Sequence, residues 1–91
     1  MPSIHIREAH NLGLATAKQR VEKLAGQLNE RLGVTHTWSG DTLEFERSGA
    51  TGTILVEQNA VTVDVKLGIM LAAFKGEVEK QLKGFLEEHL K

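Results

Sequence analysis

Residues 34–67 read VTHTWSGDTLEFERSGATGTILVEQNAVTVDVKL, and their alternation decides the fold. Val34, His36 and Trp38 share one face of an extended segment, with Thr35, Thr37 and Ser39 on the other. Leu43 and Phe45 then alternate with Thr42, Glu44 and Glu46. Ile54 and Val56 oppose Thr53, Leu55 and Glu57, and Leu55 is the apolar residue this pattern sends outward. The last segment is the clearest, with Val61, Val63, Val65 and Leu67 against Thr62, Asp64 and Lys66. Gly40 with Asp41, then Ser48 to Ala50, then Gln58 with Asn59, supply the turns. Four short strands joined this closely form an antiparallel meander, and the Thr, Glu, Asp, Lys and His positions leave one face wet.

Both flanks carry helical periodicity. Residues 3–7 alternate first, with Ile4 and Ile6 on one side and Ser3, His5 and Arg7 on the other, and predict one more strand. Residues 8–13 read as a loop with Asn11 as a candidate cap. A helix over residues 12–32 follows, since Leu14, Ala17, Val21, Leu24, Leu28 and Leu32 fall at spacings of three and four. Gly33 fits the left-handed position just past its end. Gly68 ends the last strand, and a second helix begins with Leu71, Phe74, Val78, Leu82 and Phe85 on one stripe, widened by Met70, Leu86 and Leu90. Gly76 and Gly84 interrupt this helix without stopping it. The expected architecture is a single α+β domain over residues 1–91: a two-layer β-α-β-β-β-β-α arrangement, its five-stranded, mainly antiparallel sheet bearing two helices on one face. The favoured strand order is 1-5-4-3-2, with a parallel pairing of the first two strands as the alternative.

Composition narrows the function classes. The apolar share is 41% and the charged share 25%, so a globular domain is expected rather than a disordered chain. Eleven Lys and Arg against twelve Asp and Glu give no basic surplus for nucleic acid or for an anionic membrane surface. The absence of cysteine removes disulfides, thiolate catalysis and cysteine metal sites. No apolar run reaches the roughly 18–20 residues that span a bilayer, and the first residues lack a signal-peptide pattern, so a cytoplasmic location is expected.

Few residues invite a chemical role. His10 stands in the loop before the first helix, where it is either a ligand contact or a side chain that pins the loop through backbone hydrogen bonds; the second use needs no partner base and is favoured. Asp41 sits in a turn and is expected to stabilise it. Trp38 shares a face with Val34 and either closes the edge of the core or forms part of a binding surface. His5, His10, His36 and His89 show no metal-ligand spacing, and no nucleophile elbow, P-loop or dinucleotide fingerprint is present, so neither a metal nor a cofactor is expected. Glu44 and Glu46 share a strand face that alternation places in solvent. The apolar stripe of the second helix, with Phe74 and Phe85 as its aromatic members, is broad for its task. Either the small core uses all of it, or part of it serves a homodimer or another partner.

Taken together, His10-Asn11-Leu12-Gly13, residues 38–45 (WSGDTLEF), Gly49-Ala50-Thr51-Gly52 and residues 63–68 (VDVKLG) resemble the polyhydroxyalkanoic acid system protein family, small bacterial proteins often encoded near genes for storage-polyester granules. The resemblance covers nearly the whole chain. It implies a role at granules and brings no catalytic residues with it. The element order is also similar to a pared-down helix-grip domain, an analogy at the level of fold alone. Three functions follow as expectations. The first is a non-catalytic accessory protein bound to granules or to granule proteins. The second is a domain that holds an acyl-type ligand between sheet and C-terminal helix. The third, ranked last, is an enzyme on hydroxyacyl thioesters that would use His10 and Asp41.

Overall fold

The computed structural model describes residues 3–90. Its elements are β1 (Ser3–Ala9), α1 (Leu14–Leu32), β2 (Thr35–Ser39), β3 (Thr42–Arg47), β4 (Ala50–Val56), β5 (Ala60–Leu67), α2 (Ile69–Ala72) and α3 (Lys75–His89). The strands form one open sheet in the order β1-β5-β4-β3-β2. Every neighbouring pair is antiparallel. The α+β architecture and the favoured strand order are therefore those expected from the alternation. A parallel β1–β2 neighbour is ruled out, because β1 pairs with β5 from Ser3 opposite Lys66 to Ala9 opposite Ala60.

The inward residues of the sheet form the core with α1. Ile4, Leu43, Ile54, Val56, Val61, Val63, Val65 and Leu67 are buried against Ala17, Val21, Leu24, Ala25 and Leu28, and Leu86 and Leu90 close the other side. The two long helices run antiparallel. The Arg20 guanidinium donates to the His89 carbonyl at 3.1 Å near one end, while Leu28 and Leu32 share a hollow with Gln81 and Phe85 further along. Mid-sheet, the Phe45 ring crosses β4 at Gly52. A Cβ there would come within 2.5 Å of Phe45 Cζ and 2.6 Å of the Asp64 main-chain oxygen, so this strand position accepts only glycine.

Three boundaries differ from the sequence-based expectation. β1 continues through Glu8 and Ala9, because main-chain pairing with Val61 and Ala60 holds residues whose side chains no longer alternate clearly. α1 starts at Leu14, with Gly13 at φ 78 as its N-cap and no side-chain cap, so Asn11 does not cap it. The second helix is two helices. The Gly68 N–H donates to the Gly49 carbonyl at 2.7 Å and Leu71 packs against Gly49, which ties α2 to the β3–β4 turn. α3 must instead lie along β1 and α1. One straight axis cannot serve both contacts, and the chain bends at Ala73 and Phe74, where the Phe74 N–H takes the Leu71 carbonyl three residues back at 3.0 Å.

Candidate functional site

His10 is buried, and both ring nitrogens are engaged. Nε2 lies 3.0 Å from the Glu57 carbonyl, and Nδ1 accepts the Leu12 N–H at 3.1 Å. Those partners require the neutral tautomer with its proton on Nε2. The His10 main-chain N–H also donates to the Asn59 carbonyl at 2.9 Å. His10 therefore stitches the loop before α1 to the β4–β5 turn, which is the backbone-pinning use favoured from the sequence.

Asp41 and Trp38 meet at the β2 side of the sheet around Lys18 of α1, a residue the sequence reading did not single out. Lys18 Nζ donates to Asp41 Oδ1 at 3.2 Å and to the Gly40 carbonyl at 3.1 Å, and it lies 5.2 Å from the centre of the Trp38 ring. One turn on, Glu22 accepts the Trp38 indole N–H, and His36 Nε2 lies 3.1 Å from its other oxygen. The indole hydrogen bond holds the Glu22 carboxyl below the ordinary carboxylate range; slight burial opposes this and His36 reinforces it. The i, i+4 spacing of Lys18 and Glu22 is the signal that could have placed both over one strand. The network clamps α1 to the β2–β3 hairpin. His10 lies at the same end of the sheet but bonds to other groups, so His10, Trp38 and Asp41 do not form one site.

Two of the cross-strand rows on the outer face of the sheet border a common hollow. Thr37, Glu44, Thr53, Asp64 and His5 form one, and Thr35, Glu46, Thr51 and Lys66 the other. All of these except His5 line this open hollow of about 590 Å³. His5 Nδ1 is bonded to Asp64 across β1 and β5. Among the described residues, no group of three or more His, Asp or Glu could hold a metal ion. Every buried side-chain nitrogen and oxygen among them has a partner.

The apolar stripe divides at the α2–α3 bend. Leu86 and Leu90 are buried, and Leu71, Val78, Leu82 and Phe85 pack partly against the core. Ile69, Met70 and Phe74 are left out, at 93%, 86% and 55% exposure. Leu32, at the end of α1, is also exposed. It precedes the start of β2, which pairs with β3 beside the β3–β4 turn that anchors α2, so these four residues crown the same end of the molecule. Of the two phenylalanines singled out in the sequence, Phe74 belongs to this tip. Phe85 lies with Leu28, Leu32 and Arg31 around a hollow of about 270 Å³ between the long helices.

Fold and surface together define a small two-layer α+β protein: an open antiparallel sheet, a helix layer on one face and an apolar tip. No helix among the described residues is long and apolar enough to cross a membrane. The chain belongs to the family described as Putative polyhydroxyalkanoic acid system protein, whose model matches residues 4–90. No curated protein and no solved structure matches it.

Proposed function

We propose that this protein is a non-catalytic accessory protein of cytoplasmic polyester storage granules, which it meets through the tip formed by Ile69, Met70 and Phe74. The observation that carries the reading is the near-complete exposure of Ile69 and Met70 on a helix of only four residues. Isolated exposed apolar residues are ordinary, but three within six positions at one end of a molecule make a patch suited to an apolar surface. Family membership gives the polyester context. The candidate polar residues support a non-catalytic role, since His10 is committed to two backbone groups and Asp41 to Lys18.

The test is fractionation of polymer-accumulating cells. The parent protein is expected on isolated granules. A variant with Ile69→Glu, Met70→Glu and Phe74→Glu is expected to fold with the parent's melting temperature and to lose roughly tenfold or more of the bound fraction, because each apolar side chain that would be buried is worth about 1.5–3 kcal/mol. A parent protein confined to the soluble fraction sinks the reading.

The hollow beside Phe85 supports a second reading, in which Arg31 meets the carboxylate of an acyl ligand and Leu28, Leu32 and Phe85 its chain. It ranks lower because about 270 Å³ falls short of the roughly 300–1,000 Å³ of small-molecule pockets. It also lies between the helices, not between sheet and helix.

A further inference from the structure

The two edges of the sheet are guarded unequally. β1 carries Arg7 and Glu8 and has α3 packed against it. β2, the other edge, reads Thr35–Ser39 (THTWS). Apart from being short, it has none of the devices that keep edges apart: no lysine, no proline, no carboxylate. Its hairpin turn contains Gly40 and Asp41, with glycine first at φ 63, and closes between Ser39 and Thr42. Alternation from that closing pair directs the main-chain groups of Thr37 and Thr35 toward β3 and those of His36 and Trp38 away from it. The neighbouring edge groups are already used, the Val34 carbonyl by Asn29 and the Gly40 carbonyl by Lys18.

We infer that the β2 edge seats a second copy of this chain, joining two sheets antiparallel about a two-fold axis at Thr37. The strand is self-complementary in that register. His36 faces the partner's Trp38 as a hydrogen-bonded pair and its symmetry mate repeats the pair, for about four main-chain hydrogen bonds. Thr37 meets its own copy on the outer face, and Thr35 meets Ser39, so no like charges oppose each other. A two-fold axis through the sheet keeps both helix layers on the same side. There, the hollow of about 400 Å³ lined by Lys18, Gln19, Glu22 and Trp38 runs along the edge and has room for the partner's side chains. The interface is isologous and therefore closes at two copies. It is separate from the apolar tip, so its failure leaves the granule reading standing.

The chain has no cysteine, which makes a single introduced thiol a clean reporter. The parent is expected to sediment as a dimer at high micromolar concentration. Thr37→Cys, at a non-hydrogen-bonded pair where side chains lie closest, is expected to form a disulfide-linked dimer on mild oxidation, while Thr51→Cys on the exposed face of β4, which leaves the interface intact, gains no disulfide link in the same assay. Thr37→Lys, which sets two ammonium groups against each other, is expected to weaken the dimer roughly tenfold or more without changing the melt. A monomeric parent, cross-linking of Thr37→Cys no faster than of Thr51→Cys, or a dimer that survives Thr37→Lys would overturn the proposal.

Discussion

His10 shows how a residue with catalytic potential becomes structural when its neighbours occupy it. Its ring bridges the Glu57 carbonyl and the Leu12 N–H, two main-chain groups the fold would otherwise leave unpaired at a partly buried joint. His10→Ala is expected to cost about 1–3 kcal/mol, the penalty for orphaning such groups. In a domain of this size that lowers the melting temperature by roughly 4–8 °C per kcal/mol, readable by thermal denaturation. A melt equal to the parent's would show that the ring does not hold the loop. The choice between ligand contact and loop pin was open in the sequence only because His10 and Glu57 are distant along the chain. The cluster around Lys18 was hidden for the same reason, since its partners Gly40 and Asp41 lie in a turn more than twenty positions away.

Among elements, the strands were the most legible. Strict alternation has one physical reading, and Val61, Val63, Val65 and Leu67 are all buried as it requires. The C-terminal segment was less legible. Three/four spacing runs without interruption from Met70 to Leu90, and Gly76 and Gly84, the weakest helix formers in it, lie inside α3 and not at the break. The break is imposed from outside, by the demand of Gly49 for Leu71 and of β1 and α1 for α3. One stripe therefore holds residues of opposite consequence. Leu86→Ala should cost about 2–5 kcal/mol as a cavity in the core. Met70→Lys should stay within about 0.5 kcal/mol of the parent, since its side chain is already in water. Chemical denaturation of the two variants checks this, and equal losses would mean that the stripe is buried along its full length.

At the scale of the molecule, a chain of this length folds on a modest core, so a single charge at its centre decides the outcome. Val63 sits on β5 opposite Ile6 and Ile54. Val63→Asp should abolish the cooperative melt, because an unpaired buried carboxylate costs several kcal/mol against a total stability of about 5–15 kcal/mol. A normal two-state transition would place β5 wrongly in the sheet. By itself the sequence determined the element types, the wet and dry faces of the sheet and the family, because these follow from local periodicity and from motifs that a linear chain displays. Tertiary structure decided where the second helix bends, which apolar residues are left to crown one end, which side chains clasp Lys18 and which sheet edge stands open. Each of those depends on residues far apart in sequence competing for the same space, and spacing along a chain carries no record of that competition.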